Sequence, residues 1–323
     1  MTSLFVAVFN MSLTGAFVIL AIFLARLILR KGPRSILYFL WIAAGFRLAF
    51  PFSFESVLSF MPFSNQLIPT DITHILAPYA QDSYTTNFFG SSSLHNILAV
   101  ASLVWIAGFV LMLTRGAYIF IKLKSKLSVA TKIEDNIYVS DNLKTPFVMG
   151  LFTPKIFLPA HLSTLEQKYI ILHEQVHIKR GDHVSKYIAY LLLCIHWFNP
   201  FVWLAFSLMN RDMEMACDER TLNILGGGTE VKKDYSFALL TLATKSPLIS
   251  GITPAFNHGD LGSRVKNVLH YKKQSHLVFI VSIAMVLILS MGLSFDRLDL
   301  NPTNKYTVVG DPLSSPFACP PCR

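Results

Sequence analysis

Apolar residues run along this chain in long blocks separated by short charged turns. Residues 5–29 form a run of 25 positions whose one charge, Arg26, lies near its end. About 20 such residues cross the hydrocarbon core of a bilayer. Residues 36–50 form a shorter run that contains Arg47 and stops at Pro51, and residues 94–114 and 277–294 form two more. Each block predicts a membrane span. Arg26 and Arg47 fall where a long side chain can snorkel to the headgroups, and both are expected to do so.

Between the third and fourth blocks the pattern changes. Residues 137–140 and 146–158 are rich in β-branched and aromatic positions and read as strands, the second folded into a hairpin or bent edge strand at Thr153-Pro154. An edge strand beside a reactive centre can take an extended peptide by strand addition. Residues 165–179 predict a helix, because Ser163 with Glu166 three residues on is a capping-box start and Gly181 is a natural stop. Residues 187–197 and 201–209 are strongly apolar, but at 11 and 9 residues neither crosses a bilayer alone. Asn199-Pro200 between them is a helix start, with Asn as N-cap and Pro at N1. The expectation is a broken helical hairpin that dips into the membrane, its second helix reaching about Leu225 before Gly226-Gly227-Gly228. A further helix is expected around 232–245, and residues 295–323 show little periodicity.

Composition supports the membrane reading: 53 % of residues are hydrophobic and 15 % charged, against about 25 % charged in soluble proteins. The net charge of +9 is divided unevenly, with 19 of the 28 Lys and Arg in residues 116–276. Residues 51–93 contain none, against three acids, Glu55, Asp71 and Asp82. By the positive-inside rule residues 51–93 are external, residues 116–276 cytoplasmic, and both termini external. The basic charge then has a topological cause and faces anionic lipid, so direct nucleic-acid binding is not expected. The chain divides into residues 1–115 with three spans and the external loop 51–93, a domain at 116–276 with the dipping hairpin 187–209, a last span at 277–296 and a short external tail at 297–323. Residues 1–10 carry no Lys or Arg and lack the charged start of a signal peptide.

The chemistry is concentrated in His173-Glu174-Gln175-Val176-His177. Four residues is just over one helical turn, so the two histidines stack on one face and can hold one metal ion. Glu174 lies about 100° round the helix, placed to act on a water as general base rather than to ligate. With 10 histidines and 7 glutamates in 323 residues, chance supplies about 0.007 such matches. A catalytic zinc takes three protein ligands and a water. Downstream, Asp182, His183, His196, Asp212, Glu214, Asp218 and Glu219 are candidates for the third. Glu214 as ligand, with Asp218 one turn on to orient a ligand histidine, is the preferred arrangement, and spacing alone leaves the others open.

Four segments in order, TPFVMGLFTPKIFL (145–158), HEQVHIKRGDH (173–183), HWFNPFVWLAF (196–206) and MNRDMEMACDERTL (209–222), resemble the BlaR/MecR-type family of membrane metallopeptidases. The resemblance covers roughly residues 5–296. It implies an α-helical membrane protein of about four spans with a cytoplasmic, gluzincin-like α+β zinc protease domain. It also implies zinc held by His173, His177 and Glu214, with Glu174 as catalytic base and Asp218 as the carboxylate behind the ligands. In the family, a beta-lactam bound to an extracytoplasmic sensor activates the protease, a cytoplasmic repressor is inactivated, and self-cleavage occurs near the last span. Past residue 296 this chain has no Ser-x-x-Lys motif before it stops at Arg323. The expectation is therefore a member without the penicillin-binding sensor, whose external loop or tail contacts a sensing partner.

The reading is a zinc endopeptidase of the bacterial cytoplasmic membrane that cleaves a repressor, itself, or both. A processing or quality-control protease of the HtpX or CAAX kind shares the metal motif, but the HWFNP block and the basic-free loop weigh against it. The rival from another class is a non-catalytic membrane signalling scaffold, against which the intact His173, Glu174, His177 and Glu214 weigh. Cys194 and Cys217 read as packing positions, His196 as structural, and His183 and Tyr187 as surface or interface anchors. Cys319 and Cys322 form a pair able to close a disulfide outside the membrane.

Overall fold

Three helices carry the apolar blocks of the first part of the chain: α1 (Thr2–Ile28), α2 (Arg34–Ala49) and α3 (Ser91–Leu127). The computed structural model describes residues 2–28, 32, 34–50, 55–56, 91–244, 258–272, 284 and 296–297. The expected span 277–294 (residue 284 apart), nearly all of the loop 51–93 and of the tail, and Cys319 with Cys322 lie outside the described residues. α1 and α3 are each long and apolar enough to cross a membrane. α3 continues 13 residues beyond the block that ends at Thr114, because Ile, Leu, Lys and Ala are adequate helix formers and no proline intervenes. Its Ile97, Val100, Leu103, Val104 and Leu111 are exposed, an apolar face that the described residues leave uncovered.

Arg26 does not snorkel. Its guanidinium donates from Nε to Asp212 Oδ2 at 2.7 Å and from Nη2 to Oδ1 at 2.6 Å, and Trp41 Nε1 of α2 donates to the same carboxylate at 2.9 Å. Asp212 is fully buried, so an ion pair outweighs the pull of water on the cation. Arg47 departs from expectation in the same way, being 1 % exposed within the packing of α2. Removing one partner of a buried pair leaves an uncompensated charge, at a cost of about 3–5 kcal/mol. Arg26→Met is expected to lower the thermal unfolding midpoint in detergent, and adding Asp212→Asn to recover part of the loss.

A four-stranded sheet follows: β1 (Thr131–Glu134), β2 (Ile137–Ser140), β3 (Phe147–Met149) and β4 (Lys155–Pro159), in the spatial order β1-β2-β4-β3. β3 and β4 form the expected hairpin, with Phe147 opposite Phe157, and β2 runs parallel to β4 with Ile137 opposite Ile156. This leaves β3 at the sheet edge, in contact with the next helix. Ile156 and Leu158 are fully buried against Ile170, Leu222, Tyr235, Leu239 and Val268, and each such aliphatic burial stabilises by about 1.5–3 kcal/mol.

Helix α4 (Thr164–Arg180) begins with the expected capping box: Glu166 Oε2 accepts from the Ser163 backbone N at 2.8 Å, and Ser163 Oγ accepts from Glu166 N. It ends at Gly181, whose φ of 71° lies in the left-handed region, which suits a residue without a Cβ. α5 (Asp182–Ile195) starts at once, and α6 (Pro200–Ile224) begins at the expected Asn199 cap, whose Oδ1 accepts from Phe201 N at 2.9 Å. Asn199 Nδ2 also donates to Ser12 O and Oγ at 2.9 and 2.8 Å, which ties the helix break to α1. α7 (Thr229–Thr244) and α8 (His258–Leu269) close the domain, the second of these without a counterpart in the sequence reading.

Candidate metal centre

Helix α4 places His173 and His177 one turn apart, both 6 % exposed, with their Nε2 atoms 3.1 Å from each other. α6 crosses this face and brings Glu214 Oε2 to 3.5 Å from each Nε2. Donors about 2.0–2.1 Å from a tetrahedral metal lie about 3.3–3.4 Å apart, so the triangle of two imidazole nitrogens and one carboxylate oxygen has the size of a metal's coordination face. A second donor set overlaps it. The buried Cys217, one turn after Glu214, offers its Sγ with the two imidazoles, all three ligand atoms lying within 4.8 Å of one another. That sulfur also lies 3.4 Å from the His173 carbonyl oxygen, to which the thiol donates.

Both imidazoles are fixed from behind. Asp182 Oδ2 lies 2.7 Å from His177 Nδ1, and a carboxylate there accepts the Nδ1 proton and leaves Nε2 as the nitrogen for a metal. Tyr235 of α7 gives its one hydroxyl proton to Asp218 Oδ1 at 2.7 Å, so its oxygen accepts from His173 Nδ1, also at 2.7 Å. Asp218 Oδ1 itself lies 3.4 Å from His173 Nδ1, the contact expected for it, and Tyr235 adds a relay between the two. Arg264 of α8 holds Asp218 with both ends of its fork, Nε to Oδ2 at 2.8 Å and Nη2 to Oδ1 at 2.7 Å. Its Nη1 reaches Glu214 Oε2 at 3.2 Å. Supports of this kind typically change metal affinity about 10- to 100-fold when removed. Tyr235→Phe is expected to weaken metal binding by that factor in a chelator competition titration, with the fold intact by circular dichroism.

The electrostatics favour a cation among these groups. Burial works against charge on His173, yet Cys217 and Glu214 outweigh it and raise its pKa to about 9. His177 is likewise raised well above the usual histidine value, Cys217, Glu214 and Asp182 overcoming burial. Burial opposes ionisation of Glu214, but Lys186, His177 and Arg264 hold its carboxyl well below the usual range. Burial would also raise the Cys217 thiol, and the two histidines bring it down to about 7. Glu174, 7 % exposed, follows His173 on α4, and its charge acts with that of Glu214 on Lys186 of α5.

Of the seven candidates for a third ligand, the structure brings Glu214 to the histidine nitrogens. Asp182 and Asp218 lie behind the rings, and Asp212 pairs with Arg26. Glu219 accepts from Arg34 N at the start of α2, His183 Nε2 is 3.3 Å from Leu151 O, and the buried His196 has Nε2 3.0 Å from Leu48 O. The sequence reading missed Tyr235, Arg264 and Lys186. Asp182 had a signal, since it follows His177 by five residues across a glycine stop; Tyr235 and Arg264 had none.

Compared with known families, residues 6–268 match the model described as BlaR1 peptidase M56. The chain is 29 % identical over 157 residues to the regulatory protein BlaR1 of Bacillus licheniformis, covering 46 % of this chain and 26 % of that protein. It is 30 % identical over 142 residues to the methicillin resistance mecR1 protein of Staphylococcus aureus (strain Mu50 / ATCC 700699) and to that of Staphylococcus epidermidis, covering 42 % of this chain and 24 % of each. The matched regions thus span about a quarter of the length of these relatives.

Proposed function

Because the chain belongs to the BlaR1 peptidase M56 family, we propose that it is a zinc-dependent membrane endopeptidase acting in regulated proteolysis. Its zinc ligands are His173, His177 and Glu214, its general base is Glu174, and Asp218 supports His173 both directly and through Tyr235. The observation that carries this reading is the triangle of 3.1, 3.5 and 3.5 Å between the three ligand atoms, with Glu174 one residue along the helix. Zinc, when bound, supplies Lewis acidity toward a peptide carbonyl and toward water. Glu174 takes the proton of the attacking water and returns it to the leaving amine nitrogen. His173 and His177 turn their Nε2 atoms toward the metal position because Tyr235 and Asp182 hold their Nδ1 protons. The free edge of β3 aligns an extended substrate by strand addition beside α4.

The same reading places residues 116–276 on the cytoplasmic side of a bacterial inner membrane, with about four spans and both termini outside. It is supported by the concentration of 19 of 28 basic residues in that segment. The parallel pairing of Glu55–Ser56 with Asp296–Arg297 also supports it, since it joins the external loop to the tail. The names of the relatives, a regulatory protein and methicillin resistance proteins, favour a regulatory role linked to beta-lactam resistance, and the family resemblance implies a cytoplasmic repressor or the chain itself as substrate, with a sensing partner outside. The test compares protein termini in native membranes holding wild type or Glu174→Gln. New termini in a cytoplasmic protein or in this chain, present in wild type alone, bear out the protease and name its substrate. Identical termini in a strain responding to its inducer would favour a signalling scaffold.

A further inference from the structure

Glu214 uses its two oxygens differently. Oε2 faces the histidine pair at 3.5 Å from each Nε2 and lies 3.2 Å from Arg264 Nη1 in an ion pair. Oε1 accepts from Lys186 Nζ at 3.2 Å. Lys186 stands four residues after Asp182 on α5, so one face of that helix meets both ligand-bearing helices: Asp182 secures His177 of α4, and Lys186 secures Glu214 of α6. The sharp left-handed corner at Gly181 gives α5 this course. A carboxylate with both oxygens free can chelate a metal through both and occupy two of its positions. A catalytic zinc site needs one position left open.

We propose that Lys186 is a positioning residue that holds Glu214 to ligation through one oxygen and so keeps a coordination position open. A charge-assisted hydrogen bond on Oε1 ties up the oxygen that would otherwise swing onto the metal, while Arg264 pairs with Oε2 at 3.2 Å. The Lys186 side chain is 42 % exposed, against 16 % for that of Glu214. The catalytic consequence rests on the peptidase reading above; the coordination claim concerns the metal site alone.

The experiment loads purified wild type, Lys186→Met and Lys186→Arg with zinc in detergent and records X-ray absorption spectra with zinc content. Zinc stays near one per chain in all three. In Lys186→Met the carboxylate carbon moves inward to the distance of two-oxygen ligation, and Lys186→Arg keeps the wild-type spectrum. With a cleavable substrate, Lys186→Met lowers kcat by about 10- to 100-fold at unchanged KM, and Lys186→Arg restores it. A wild-type zinc environment in Lys186→Met overturns the proposal, whether or not the protein cleaves peptides. Should the methionine variant fail to fold, Lys186→Gln carries the same comparison: two-oxygen ligation supports the proposal and the wild-type spectrum overturns it.

Discussion

Glu214→Ala is expected to strip zinc from the purified protein, whereas Cys217→Ser keeps it at wild-type occupancy. The two residues define rival donor sets around the same pair of histidines, and both are buried enough to serve. Two arguments favour the carboxylate. Its Oε2 stands 3.5 Å from both Nε2 atoms, close to the edge of a coordination tetrahedron. The Cys217 sulfur is engaged by the His173 carbonyl at 3.4 Å. Zinc-finger peptides bind zinc with about 10–16 kcal/mol through four ligands, so one ligand is worth about 2.5–4 kcal/mol, roughly 60- to 700-fold in affinity. Chelator competition resolves that easily. Loss of zinc from Cys217→Ser with retention in Glu214→Ala would transfer the third position to sulfur.

Acid should weaken the same site. Without metal, His173 holds its second proton up to about pH 9 and His177 is raised in the same direction. Each zinc bound near neutrality therefore displaces up to about two protons, so apparent affinity rises with pH, by as much as about 100-fold per pH unit. The rise flattens as the pH passes the raised histidine values.

Glu174→Gln should leave zinc in place and remove peptide hydrolysis by about 10²- to 10⁴-fold, the range for a positioned general base. Glutamine keeps the size and nearly the shape of the side chain but cannot accept the proton of water. Glu174 lies on the same helix as the ligand histidines without sharing their face, so its loss spares the metal. Zinc content and turnover measured on one preparation separate the outcomes. Zinc lost with activity would make Glu174 a ligand, and activity retained with zinc would place the base elsewhere.

What the sequence determined by itself was local. The pair His173 and His177, the Ser163–Glu166 capping box, the Gly181 stop and the Asn199-Pro200 start depend on residues within about one helical turn, where 3.6-residue geometry leaves few choices. The apolar blocks at α1 and α3 were equally readable, because length and hydrophobicity suffice for them. Tertiary structure alone decided which of seven acids and histidines reaches the imidazole nitrogens, and what the rest do. Asp182 became the support of His177, Asp212 the buried partner of Arg26, and Glu219 the acceptor at the start of α2. Tyr235 and Arg264 approach His173 from 62 and 91 residues away. The entropic cost of closing a loop grows only logarithmically with its length, so many distant residues compete on nearly equal terms for one contact. Packing of α6, α7 and α8 against α4 settles that competition, and packing is a property of the whole chain.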